Sequence, residues 1–233
     1  MVRYIPNFLT ICNLLSGCLG IVLIAEGDLN SGAYMIWVAA IFDFFDGLSA
    51  RAFRAYSSIG GELDSLADMV SFGVLPSFIV YELLKNSLPD PLFYAAFIAF
   101  SIAAFSAIRL AIFNIDTRQT SSFIGLPTPA SALLISALPL SDIPIVEQLM
   151  NNDIFLIVLV LVVSYLLVAR VELMALKFDG FGWTKNKLKY SFMLISLVLV
   201  LILNTIAIPL VIVLYIIFSL FKNSWQSSPG KSS

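Results

Sequence analysis

Apolar residues run along this chain in long blocks, separated by short polar stretches. Residues 8–25, 31–48, 63–84, 92–113 and 154–176 are each long enough, as helix, to cross a hydrocarbon layer of ~30 Å. Pro127 and Pro129 fix a non-helical entrance to a shorter block that ends near Leu140. At about 13 residues it predicts a short fifth span, tilted little or crossing a thin region. Residues 190–221 are too long for one crossing, and Asn204-Thr205 with Pro209 predict a tight turn between two spans. The pattern therefore predicts an all-α polytopic membrane helix bundle of eight spans. Residues 1–222 form one transmembrane domain, 142–153 an acidic loop, and 223–233 a polar tail.

Composition supports this reading. The 233 residues are 60% hydrophobic and 12% charged, as in polytopic membrane proteins. A net charge of -2 with few basic residues argues against a nucleic-acid partner. With no histidine in the chain, a His-based triad and a His-containing zinc site are both excluded. Cys12 and Cys18 lie about 9 Å apart along one predicted helix, too far to pair, and read as small core residues. The block at 8–25 resembles a signal peptide's apolar region, but polar Asn13, Ser16, Gly17 and Gly20 within it and the lack of a cleavage pattern favour mature protein. With eight spans, Lys85 alone of the 13 basic residues falls on one side of the membrane. The positive-inside rule then places both termini, and whatever lies beside Arg51, Arg54 and Arg109, in the cytoplasm.

Within this apolar background residues 43–68 stand out. Asp43, Asp46, Asp64 and Asp68 occur in the spacing D-x2-D-G-x2-A-R-x8-G-x3-D-x3-D. Helical i,i+3 and i,i+4 spacing puts each pair of carboxylates on one face. A connection bearing Ser57, Ser58, Gly60 and Gly61 would bring the two helices side by side. Four converging carboxylates near a membrane surface repel one another and are costly to desolvate. An oxygen-rich set of this kind suits Mg²⁺ or Mn²⁺. Interfacial caps or solvent-facing acids are the bland alternative. A metal centre at headgroup depth suits transfer of a phosphoryl or phosphatidyl group between a lipid and a water-soluble partner. Arg109, the single base of the fourth span, reads as an anion ligand or as a snorkelling side chain. Asn13 reads as a polar residue turned toward the bundle interior.

This run resembles, without a gap, the signature of the CDP-alcohol phosphatidyltransferases. Pro6-Asn7-Phe8-Leu9-Thr10, Asn13-Leu14, Gly17, Asp64-Ser65-Leu66-Ala67-Asp68, Val70-Ser71-Phe72-Gly73, Arg109-Leu110-Ala111, Phe113-Asn114 and Gly125-Leu126-Pro127-Thr128-Pro129 are similar to its serine-transferring branch. These segments cover about residues 1–140, and 154–221 agree in layout only. The resemblance implies a six-helix catalytic core within the bundle, in a prokaryotic cytoplasmic membrane, with the active site facing the cytoplasm. It implies CDP-diacylglycerol and L-serine as substrates, phosphatidylserine and CMP as products, and a homodimer among membrane lipids. It also implies two Mg²⁺ or Mn²⁺ ions on Asp43, Asp46, Asp64 and Asp68, with Asp68 as general base. Gly47, Ala50 and Gly60 match positions where the backbone admits the nucleotide. Asn13 matches a residue near the nucleotide, and Arg51 one near the diphosphate. Ser71, Arg109 and the 123–129 loop are the candidates for holding serine.

Two rivals make different predictions. A sister enzyme would use glycerol 3-phosphate, an inositol phosphate or an amino alcohol. The chain lacks a dense basic pocket for a second phosphate. A cation transporter would use the aspartates as an ion path, but would place them nearer the bilayer midplane than one interface.

Overall fold

Pro6 sits in the first turn of α1 (Ile5–Ala25), where its missing N–H costs no helical bond. Thr10, Asn13, Gly17, Gly20 and Ile24 recur at three- or four-residue intervals and are buried along one stripe. That stripe is small and polar, so neighbouring backbones approach closely. α2 (Leu29–Ala52) runs back along α1 and is capped by Asp28, which accepts the Ser31 N–H at 2.9 Å. Hydrogen bonds from Ser31 hold the exposed Asp28 carboxyl below its ordinary range. α2 closes with the Ala55 N–H on the Ala50 carbonyl at 3.0 Å and Arg54 at φ 50°. Glycine usually takes this left-handed position.

The structure, a computed structural model, describes residues 4–55, 57–115, 123–173 and 207–226, with 191, 192, 194–196, 198 and 199. The third span is one continuous path from Ser58 to Ser87. It consists of α3 (Ser58–Asp68), a π-helical stretch (Met69–Val74) and α4 (Leu75–Ser87). The fourth joins a 3-10 stretch (Asp90–Phe100) to α5 (Ser101–Ile115). Then come α6 (Thr128–Ser136), α7 (Pro144–Met150), α8 (Asp153–Val168) and α9 (Ala207–Gln226). Among the described residues the sole extended pairing is antiparallel, Phe123–Ile124 with Glu172–Leu173. Gly125 beside it has φ 76°, and a Cβ there would lie 2.6 Å from the Leu167 carbonyl oxygen. The core centres on Phe72, Ile36, Leu75, Ile79, Ile102, Ile135 and Leu156.

Four helical paths among the described residues are long and apolar enough to cross a membrane, or five if α7 and α8 form one broken span. The structure thus bears out an all-helical membrane bundle, but only this many of the eight predicted spans. The fifth predicted span is a nine-residue helix, about 13 Å long and well short of a crossing. It is packed inside the bundle against α2, α4 and α9. The sixth ends at Val168 rather than near residue 176, because the chain turns extended at Ala169 and pairs with residues 123–124. The predicted acidic loop contains α7, started by Pro144 and bent 83° from α8. α9 runs to Gln226, four residues into the predicted tail. The turn at Asn204-Thr205 and the basic loop at 177–189 lie outside the described residues. Cys18 is exposed and Cys12 half-buried, so neither is a core residue. In a bundle whose outer surface meets lipid, apolar character does not mark the inside.

Candidate active site

Both acidic pairs lie within helices, at the same end of the bundle. α3 begins at Ser58, with Ser57 accepting the Gly60 N–H at 3.0 Å. Gly60 and Gly61 are therefore first-turn residues of α3 rather than part of the predicted connection. This antiparallel entry brings Asp64 and Asp68 against Asp43. One carboxylate oxygen from each of the three lies within 4.8 Å of the others. Asp64 Oδ1 is buried without a hydrogen-bond partner. A hard divalent cation fits an all-oxygen donor set with an orphaned buried acceptor.

Asp46 stands outside that trio. It is buried, and its Oδ2 accepts a 2.7 Å hydrogen bond from the Thr10 hydroxyl of α1. One turn further along α1, Asn13 Nδ2 donates to Asp68 Oδ1 at 3.3 Å, while Asn13 Oδ1 is buried and unpartnered. A third link joins α3 to α5, with Asn114 Nδ2 donating to Ser65 Oγ at 2.9 Å. Asp46 and Asp68 are thus bonded from α1, and α3 itself is tied to α5 beside them.

A cleft of about 250 Å³ opens beside Asp46 and Asp64. Gly47, Ala50, Arg51 and Gly60 line it, as do Pro6, Asn7, Thr10, Ala55, Ser57 and Gly61. A Cβ on Gly47 would meet only the Arg51 guanidinium, at 3.8 and 3.9 Å. The chain's own packing therefore does not require a glycine there, and the space it leaves belongs to the cleft. Asn7 and Thr10 were legible as parts of a pattern but not as lining residues, because their place depends on how α1 is rotated.

Asn13, Ser71 and Arg109 lie away from this cleft. The Ser71 hydroxyl donates to the Asn13 carbonyl at 2.9 Å, and a Cβ on Gly17 would lie 2.9 Å from Ser71 Cα. These contacts tie Ser71 to α1. Arg109 is buried on α5, its guanidinium carbon 6.0 Å from the Phe113 ring.

Fold and site together define a membrane-embedded helix bundle with a carboxylate centre at the edge of a polar cleft. The CDP-alcohol phosphatidyltransferase family model matches residues 3–163, and the chain belongs to that family. It is accordingly a membrane transferase of phospholipid biosynthesis. It is 32% identical over 170 residues to a CDP-diacylglycerol–serine O-phosphatidyltransferase of Bacillus subtilis, covering 73% of this chain and 89% of the relative. A protein of the same name from Methanocaldococcus jannaschii is 33% identical over 168 residues, 72% of each chain. Another from Helicobacter pylori is 29% identical over 228 residues, 93% of this chain and 90% of the relative. That last similarity extends through the C-terminal helices.

Proposed function

We propose that this enzyme transfers the phosphatidyl group of CDP-diacylglycerol to the hydroxyl of L-serine, releasing CMP. The convergence of Asp43, Asp64 and Asp68 beside a cleft lined by the matched glycines carries this reading. The names of the relatives support serine as the acceptor.

The cleft takes the cytidine diphosphate. Gly47 and Gly60 admit it, Ala50 forms the wall between them, and Arg51 contacts the anionic diphosphate. Asp43, Asp46, Asp64 and Asp68 would hold two Mg²⁺ or Mn²⁺ ions, which when bound neutralise charge developing on the diphosphate. Thr10 keeps Asp46 aimed from α1, and Asn13 holds one oxygen of Asp68. The serine oxygen bonds to the phosphorus that bears diacylglycerol. Asp68 accepts the serine proton, and the bond from phosphorus to CMP breaks with its electron pair leaving on CMP. Lipid and water-soluble substrates meet because the acidic end lies at a membrane surface.

The distribution of charge supports a cytoplasmic position for that surface. Arg51 lines the cleft, and Arg54 follows just beyond the end of α2. Lys85 lies at the far end of the third span, paired with Glu82 at 3.1 Å. Both termini lie on that side in this proposal, as the distribution of the basic residues favours. A homodimer is part of the same proposal.

Asp68→Asn tests the base. It keeps the side-chain size and removes proton-accepting capacity. Serine-dependent CMP release is expected to fall by at least about a hundredfold, while CDP-diacylglycerol still protects the protein against heat. Full turnover by Asp68→Asn would exclude Asp68 as the base.

A further inference from the structure

α5 carries two buried polar groups on one face, a single turn apart. Ser106 is 0% exposed and Arg109 9%. Ser106 Oγ and Arg109 Nε both lack a hydrogen-bond partner. Other buried serines return their proton to their own helix, Ser77 to the Gly73 carbonyl, Ser131 to Thr128 and Ser136 to Leu133. Ser106 does not, although an unpaired buried hydroxyl destabilises a fold. The contact of Arg109 with Phe113 engages the face of the guanidinium and leaves the in-plane Nε–H unused.

The surroundings place this pair against the third span, beside the stretch that follows Asp68. A Cβ on Gly73 would lie 3.2 Å from Ser106 Cβ, so Ser106 packs directly on the π-helical stretch that follows Asp68. Arg109 lies on α5 between Ser106, which meets Gly73, and Asn114, which bonds to Ser65, so it stands level with the part of the third span that carries Asp68. The nucleotide-sized cleft lies elsewhere and is lined by no α5 residue. Ser106 Oγ and Arg109 Nε thus have no assigned partner. Both can donate a hydrogen bond, and one of them carries a permanent positive charge.

We propose that Ser106 and Arg109 form the subsite for the carboxylate of the amino-acid acceptor, with Ser106 a specificity-determining residue. This rests on the serine-transfer reading above. A carboxylate offers two oxygens, one for the Ser106 hydroxyl and one for the Arg109 Nε–H. An amino alcohol leaves both donors unpaired in the complex, and a site built around such bonds rejects an analogue that lacks them. A phosphate oxyanion presents similar chemistry, so glycerol 3-phosphate belongs in the test.

The full chain in detergent, with CDP-diacylglycerol and Mn²⁺, is assayed with L-serine, L-serine methyl ester and glycerol 3-phosphate. Ser106→Ala is expected to raise KM for L-serine about tenfold. Its kcat and its KM for CDP-diacylglycerol stay within about twofold of wild type, and the low activity with the methyl ester is unchanged. The melting temperature stays equal or rises, because an unpaired buried hydroxyl has been removed. Ser106→Cys, which keeps the volume with a weaker donor, shows the same rise in KM. An unchanged L-serine KM in both variants would overturn the proposal, as would an equal loss with serine and its ester, a marked drop in melting temperature, or preference of the wild type for glycerol 3-phosphate. Wild-type turnover with serine alongside unaffected variants defeats this inference alone. A wild type with no serine-dependent CMP release defeats the serine-transfer reading as well.

Discussion

Thr10 and Asn13 give the four aspartates different surroundings. Both lie on the inward stripe of α1, and each donates to one carboxylate, Asp46 at 2.7 Å and Asp68 at 3.3 Å. A hydrogen bond to a buried charged group contributes about 1.5–3 kcal/mol. Thr10→Val keeps the shape and removes the donor. It is expected to lower kcat/KM for CDP-diacylglycerol by roughly ten- to a hundredfold, with Thr10→Ser close to wild type, in steady-state assays of CMP release. An unaffected Thr10→Val would mean that the bond does not position Asp46. The aspartates were legible because i,i+3 and i,i+4 spacing fixes a shared face whatever the tertiary structure. Their partners are 36 and 55 residues away, and only the rotation of α1 against α2 and α3 brings them into register. Cys12 and Cys18 were misplaced for a related reason, since lipid and protein interior select the same apolar side chains.

At the scale of elements, the third span matters most. The wider turn of the π-helical stretch begins immediately after Asp68, and such segments occur often at functional sites. It carries Ser71 against α1 and Gly73 against α5, so the two flanking helices are registered by the residues that follow Asp68. Gly17→Ala should disturb this. The added Cβ would meet Ser71 Cα at 2.9 Å, too close without a backbone shift. A loss of stability of about 1–3 kcal/mol is expected, read as a lower melting temperature in detergent together with reduced turnover. A wild-type melting temperature would show that α1 and the π-helical stretch are not tightly coupled. The long blocks of the first four spans were readable because hydropathy sets length. The π stretch was not, having no residue signature of its own. The sixth span was read too long because the chain leaves the helix at Ala169 and pairs with residues 123–124, and the short fifth block holds a helix of only nine residues.

For the whole molecule, the antiparallel run of α1, α2, the third span and the fourth has one functional consequence. The start of α1, the end of α2, the start of α3 and the end of α5 all fall at one end of the bundle. That end holds the carboxylates, the cleft and the bases Arg51 and Arg54, while the opposite end holds Lys85 paired with Glu82. A lipid diphosphate anchored in one leaflet and a small acceptor from water can meet there without either crossing the membrane. The central claim is that the acceptor is serine. The most direct measurement is CMP release and lipid product from the purified chain with CDP-diacylglycerol, compared across L-serine, glycerol 3-phosphate, inositol phosphate and no acceptor, with and without Mn²⁺ or Mg²⁺. The account predicts metal-dependent CMP release stimulated by L-serine alone, with phosphatidylserine formed in equal amount. Metal-dependent release driven by another acceptor, or none from folded protein, would contradict it.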